Sequence, residues 1–394
     1  MNQKKSKNNL KFFTLTFFFI ITGSTNTILN KFMLSTSSKG VNFEIHPWFV
    51  TFGMFIGESF SLIFYFISKH RKKKFSVRNL ITKDDKNTDN PEEKKIPKNT
   101  IFLIPALCDF FGSTIATFAL VYLLGSIYQM MRGILIIFVM LFSIFFLKSK
   151  MNINNYLGAL ILLIGLILTG LSQINEDGNS KFAGIILIII SQIFSAFQYV
   201  FEEKIVRTYD VNSLQMVGFE GMWGCIMYFV ILIIFQFISC KKFDKNLKEN
   251  VCAYKGIDKD VYLEDTIFAF EQMFKKKKLI LFYFLYIISI GIFNISGINL
   301  MEYTSSSARA VMDNLRTILI WFFFLVYPKS DGDYEDLKEH FRILQFFGFI
   351  LIILGNIIYN EILDMNVLLS KRKIDNNNNQ NGNNELHQKE LYKI

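Results

Sequence analysis

Apolar residues along this chain come in ten blocks, each ended by a polar or glycine-containing break. Most are about twenty residues long, the length an α-helix needs to cross a bilayer core. The first five blocks are 12–34, 48–68, 101–124, 126–147 and 156–171. The second five are 182–201, 214–238, 279–301, 306–327 and 341–363. The pattern predicts an all-α integral membrane protein of ten transmembrane helices. It divides the chain into a basic N-terminus (1–11), a first five-helix unit (12–171), a second five-helix unit (182–363) and a tail (364–394). The Asn run within that tail is too polar to bury anything and reads as disordered. The first block has a second reading as a signal peptide, because Lys4, Lys5, Lys7 and Lys11 precede a short apolar core and Gly23-Ser24 follow it. Removing it would leave nine spans, so the block is kept as a span.

Composition agrees with a bilayer. Of 394 residues 51% are hydrophobic, 44 are Phe and 19% are charged. A soluble domain carries about 25% charge. A soluble enzyme, a coiled coil and a disordered chain are excluded as the main reading. The net charge of +10 comes without zinc-finger spacing or an RNA-binding aromatic motif, so the expected partner is the lipid bilayer and not nucleic acid. With both termini cytosolic, 24 of the 43 Lys and Arg fall on the inner side, as the positive-inside bias requires. The loop 240–278 runs against it, with ten Lys facing out.

That loop also holds Leu263, Ile267, Phe268, Phe270 and Phe274 at helical spacing, with Glu264, Asp265 and Glu271 opposite. This reads as a short amphipathic helix at the membrane surface. Cys240 and Cys252 share the loop and are a candidate disulfide in an oxidising lumen. Cys108 and Cys225 read as small core residues. The four His lie outside the spans, so no metal site and no cofactor are expected.

The halves resemble each other. Met131-Arg-Gly-Ile-Leu-Ile-Ile-Phe138 aligns without gaps on Leu315-Arg-Thr-Ile-Leu-Ile-Trp-Phe322, pairing Arg132 with Arg316. Gly158 and Gly165 pair with Gly348 and Gly355, and Lys31 with Lys204. Five spans per half is an odd number, so the second half enters the membrane from the opposite side. That is the inverted repeat used by many secondary transporters.

Several further segments carry a family likeness: His46-Pro-Trp, Gly53-Met-Phe-Ile-Gly-Glu58, Pro105-Ala-Leu-Cys-Asp109, Tyr128-Gln-Met-Met-Arg-Gly133, Glu202-Glu-Lys204, Val217-Gly-Phe-Glu-Gly221 and Val311-Met-Asp-Asn-Leu-Arg-Thr317. At these residues the chain resembles the EamA-like drug/metabolite transporter superfamily. Within it, the chain is similar to solute carrier family 35, subfamily F, near the chloroquine-resistance-transporter-like branch. The resemblance implies two inverted five-helix halves, a path lined by spans three, four, eight and nine, and an endomembrane address, lysosomal, vacuolar or Golgi. The Gly-Ala-Leu-Asn-Lys-type motif of nucleotide-sugar carriers is absent; Met312-Asp-Asn-Leu-Arg316 stands there.

Charges inside spans cost at least ~2.5–3.5 kcal/mol on insertion scales, so they face a cavity or a partner. Arg132, Arg316, Asp109, Gln129, Asp313 and Asn314 are the candidate substrate-binding residues. Asp313 also lies three residues before Arg316, so the pair can simply neutralise each other. Glu58 and Glu220 follow glycines and are candidates either to carry a coupling proton or to bond neighbouring helices. Glu203 and Lys204, at the inner end of span six, are a candidate gate or a solvated helix end. The favoured reading is a secondary-active transporter of a small organic solute, anionic or zwitterionic, acting as a monomer or homodimer. The alternative is a non-transporting membrane scaffold. No HExxH, GxSxG or P-loop pattern supports an enzyme or an ATP-driven pump.

Overall fold

The computed structural model describes residues 2–38, 40–80, 97–123, 125–171, 178–209, 211–239, 262–326 and 343–359. These residues form helices α1 (Asn2–Ser35), α2 (Pro47–Ser59), α3 (Ser61–Leu80), α4 (Leu103–Tyr122), α5 (Gly125–Met131), α6 (Leu135–Leu147) and α7 (Ile153–Leu171). The chain continues with α8 (Gly178–Thr208), α9 (Ser213–Phe237), α10 (Thr266–Lys275), α11 (Lys277–Tyr303), α12 (Ser306–Val326) and α13 (Ile343–Tyr359). One antiparallel hairpin, β1 (Ser37–Ser38) with β2 (Val41–Asn42), links α1 to α2.

Among the described residues, seven stretches are long and apolar enough to cross a membrane. α2 and α3 count as one of them, joined at Phe60. α5 and α6 form another, joined by a 3-10 turn at Arg132–Ile134. Ile153–Thr169 and Phe346–Tyr359 are shorter apolar helices. α12 has 21 residues but holds Arg309, Asp313 and Arg316. The protein is an all-α, multi-pass membrane protein.

Its burial is the reverse of a soluble core. Phe145 and Phe237 are 74% and 79% exposed, while Arg309, Asp313 and Arg316 are each 1% exposed. Lipid solvates the outer phenylalanines, and the charges turn inward because hydrocarbon offers them no partner.

The helices pack in particular pairs: α7 with α13, α4 with α8, α1 with α11, α2 with α9, and α6 with α8. Glycines set several seams. A Cβ on Gly165 would lie 2.7 Å from the Gly348 carbonyl oxygen, and one on Gly355 would lie 2.8 Å from that of Gly158. The glycines paired by the internal repeat are therefore the contact between α7 and α13, where backbones approach with no side chain between them. Gly112 seats α4 against α8, and Gly297 lies against Arg309 of α12 and Phe19 of α1.

Two ends of the bundle can be told apart. Lys31 Nζ donates to the carbonyls of Leu120 and Leu123 at 3.1 Å, placing the end of α1 beside the end of α4. α8 runs antiparallel to α4, since Gly184 meets Leu123 and Gly112 meets Ser195. The end of α8 and the start of α12 therefore lie at the opposite end, where Ser306 N donates to Glu203 at 2.7 Å. Lys204 is exposed there, so it does not repeat the role of Lys31.

Candidate functional site

Polar side chains from seven helical elements converge on one cavity holding about 690 Å³ of space between atoms. It runs from Asn30 on α1 and Tyr128 on α5 inward to Arg309 near the start of α12. Spans three, four, eight and nine supply wall residues, and so do α1, α2 and α8.

Arg132 reaches the cavity because the helix breaks beneath it. The sequence pattern predicts one continuous helix over 126–147, but the backbone tightens into a 3-10 turn at Arg132-Gly133-Ile134. Gly133 lies against Asn314 and Leu166 there, and a Cβ at this position would meet each of them at 3.4 Å. Short 3-10 stretches inside helices often mark functional bends. The Arg132 guanidinium donates to Asp313 Oδ2 at 3.3 Å, and that of Arg316 donates to the same oxygen at 3.2 Å. Arg316 lies over the Phe293 ring, 4.8 Å from its centroid. The two repeat-matched arginines thus share one carboxylate. Asp313 stands behind them and is not part of the wall.

Deeper in, Arg309 pairs with Glu202 and covers the Tyr199 ring at 3.9 Å. Asp109 lines the cavity and accepts from Ser113. Glu58 accepts from Asn294 Nδ2 at 2.5 Å, and its Oε2 has no hydrogen-bond partner. Glu220 is 3% exposed and its Oε1 is also unbonded. Asp109 and Asn294 each sit three residues before a seam glycine, Gly112 and Gly297, at matching places in α4 and α11.

Other predicted residues take packing positions. Gln129 Nε2 donates to Thr317 Oγ1 at 3.4 Å, and Asn314 Nδ2 lies 3.5 Å from the Gly133 carbonyl and 3.4 Å from Asn356 Oδ1. Neither reaches the cavity. Glu203 pairs with Arg207 on its own helix and accepts from Ser306 N, while Lys204 points to the outside. Beyond this layer lies a second cavity, about 780 Å³, lined by Ser143, Lys150, Asn155, Glu203, Ser307 and Tyr359. Cys240 and Cys252 lie outside the described residues.

The expected amphipathic helix is α10. It buries Phe268, Ala269, Gln272 and Met273. Ser38 and Gln272 exchange two hydrogen bonds at 3.0 Å, and Thr266 N donates to Gln236 Oε1 at 2.9 Å. His46 Nδ1 meets Glu264 Oε1 at 2.5 Å with both side chains fully buried. Burial pushes the Glu264 carboxyl above its usual range, and His46 opposes that shift. The sequence pattern left these two residues apart because 218 positions separate them.

Three groups in or beside the wall went unnoticed in the apolar pattern. Asn26 and Asn30 sit one turn apart on α1, and each carries an unbonded Oδ1. Arg309 completes a stripe with Asp313 and Arg316 at spacings of four and three. That spacing puts all three on one helix face and is visible in the sequence.

The profile of the CRT-like, chloroquine-resistance transporter-like, family matches residues 12–359. The chain belongs to this family. Among curated relatives, solute carrier family 35 member F6 of Rattus norvegicus is 33% identical over 356 residues, 87% of each chain. The Homo sapiens protein of the same name is 31% identical over 355 residues, with the same shares. The chloroquine resistance transporter of Toxoplasma gondii is 22% identical over 145 residues, 36% of this chain and 16% of that one. The CRT-like match runs from α1 to the end of α13 and identifies a membrane transporter of a solute. The family is not an enzyme class.

Proposed function

We propose that this CRT-like protein is a secondary-active transporter that moves a small organic solute by alternating access between two inverted five-helix repeats. The observation that carries the reading is the cavity walled by Arg132 from one half and Arg316 from the other. A scaffold has no use for a polar hollow among buried charges, and keeping one costs stability. The ten spans are α1, α2–α3, α4, α5–α6, α7, α8, α9, α11, α12 and α13. Exchanging the halves in that series turns the α4–α8 pair into the α11–α1 pair and the α6–α8 pair into the α12–α1 pair. It returns α7–α13 and α2–α9 to themselves, and all of these contacts are present. An inverted repeat predicts this self-consistency.

The cavity lies toward the end where α1 finishes, and the Arg309–Glu202 pair with the Glu203–Ser306 contact separates it from the second cavity at the other end. That is the arrangement of a carrier open to one side. Glu58 or Glu220 carries a coupling proton in this reading, since each is buried with an unbonded oxygen. An organelle membrane with both termini cytosolic fits the basic-residue bias. The test is a metabolite-uptake screen in proteoliposomes comparing wild type with Arg132→Ala. Uptake of an anionic or zwitterionic solute that falls by tenfold or more in the variant supports the reading. No uptake by wild type, or equal uptake by the variant, sinks it.

A further inference from the structure

The charge count at the cavity wall says what kind of group fits there. Arg132 and Arg316 share a single carboxylate, Asp313, which is 1% exposed and lies behind them. Arg309 already has Glu202. The Arg132–Asp313–Arg316 cluster is therefore left with one uncompensated positive charge. Arg316 Nε lies 3.1 Å from Asp313 Oδ1, whereas Arg132 Nε is buried and donates no hydrogen bond. A buried donor without an acceptor is costly, so an oxygen-bearing ligand is what this wall lacks. Asp109 on α4 lines the same cavity, and Glu58 on α2 and Glu220 on α9 are further buried acids that do not reach its wall. Tyr128 and Tyr199, the other titratable groups beside the arginines, carry no charge in their usual form.

We propose that Arg132 and Arg316 form a binding site for a group bearing one negative charge, a carboxylate, sulfonate or phosphodiester, and that Asp313 sets that limit. The proposal rests on the reading that the transported solute occupies this cavity. A monoanion brings the cluster to neutrality, which is the cheapest state for charges held away from water. A dianion such as a phosphomonoester leaves a surplus negative charge in the cavity that Asp109 also lines, in surroundings where charges are poorly screened. Asp313 therefore acts as a resident anion that occupies half of a two-arginine site. Without it, the same arginines suit a dianion.

Inorganic phosphate tests this with one molecule, being mostly monoanionic at pH 6 and mostly dianionic at pH 8. Methanesulfonate, monoanionic at both, controls for changes in the protein itself. The purified full-length chain is titrated with each probe and binding is read from thermal unfolding. Methanesulfonate is expected to bind equally at both pH values, and phosphate about tenfold more weakly at pH 8, a difference near 1.4 kcal/mol. Asp313→Asn should abolish or reverse that drop. Equal phosphate binding at both pH values in wild type overturns the proposal, as does a drop that survives in Asp313→Asn. Should that variant fail to fold, Arg132→Gln replaces it. It leaves Arg316 balanced by Asp313 and should lose both probes at either pH; retained binding overturns the site. Uptake by Arg132→Ala is a separate measurement, so the transport reading can hold while the single-charge limit fails.

Discussion

Among the contacts between the first five spans and the last five, two are built from opposite materials. Between α7 and α13 the repeat-matched glycines press backbone on backbone, Gly165 on Gly348 and Gly158 on Gly355. Between the α5–α6 turn and α12 the repeat-matched arginines meet around Asp313 beside a cavity. The first contact is dry and has no room to change shape. The second includes a buried donor without an acceptor, Arg132 Nε. Both pairs of residues stand out equally in the aligned halves, so internal similarity alone does not separate a hinge from a binding site. Packing does: the glycine seam leaves no space between backbones, and the arginine contact borders a cavity.

The largest expected effect comes from unbalancing the charges. Arg309→Met leaves Glu202 buried without its counterion and should cost about 3–5 kcal/mol, the range for breaking a buried ion pair. Thermal unfolding of the purified variant measures it. The double variant Arg309→Met with Glu202→Gln should regain most of the loss, because no charge is then stranded. If the single change costs nothing, the pair does not hold α8 to α12.

The glycine seam should respond less strongly and differently. Gly165→Val puts a branched side chain where even a Cβ would sit 2.7 Å from the Gly348 oxygen, and overpacking of this kind costs about 1–3 kcal/mol. Stability should drop while the uptake of the properly folded fraction keeps its substrate preference. Arg132→Ala should do the reverse. Asp313 keeps Arg316 as its partner, so the melting temperature should change little while uptake collapses. A variant pair in which both properties fall together would erase the distinction between hinge and site.

How much of this was legible beforehand differs between particular residues. The seven long apolar spans were readable because bilayer length is a one-dimensional constraint, and α10 was readable from Phe268 and its neighbours at helical spacing. The pairing of Arg132 with Arg316 was visible, but their common partner suggested only the local Asp313–Arg316 contact. The link to Arg132 spans 181 positions, and no local rule encodes it. The break at Arg132–Ile134 was hidden because an Arg-Gly pair in an apolar run is compatible with a continuous helix. Arg309 was readable as part of a stripe, whereas its bond to Glu202 required α8 and α12 to be placed. Gln129 and Asn314 show the limit of reading polarity as function. Both are polar, intramembrane and near the site, and both are spent on helix contacts.

The smallest expected effect concerns the contact between the segment before α10 and the segment before α2, at the end where the cavity lies, and it extends the comparison to a third contact. His46, from the first half, and Glu264, from the second, meet at 2.5 Å with both side chains fully buried. Burial is the main cause that raises the Glu264 carboxyl; His46 lowers it, and the neighbouring Asp265 raises it further. A carboxyl whose folded pKa lies above its unfolded value of about 4.3 binds its proton more tightly in the folded state. Its contribution to stability is present in full below that unfolded value and is lost as pH rises through the raised folded one. The His46–Glu264 contact should therefore be held more firmly in acid than at neutral pH. Glu264→Gln mimics the protonated carboxyl and should flatten that dependence, by about 1 kcal/mol or less. Melting curves of the full-length protein between pH 5 and pH 8 provide the check. A wild type that gains stability toward pH 8, or a Glu264→Gln variant with the same slope as wild type, would show that this contact, like the glycine seam, is indifferent to protons.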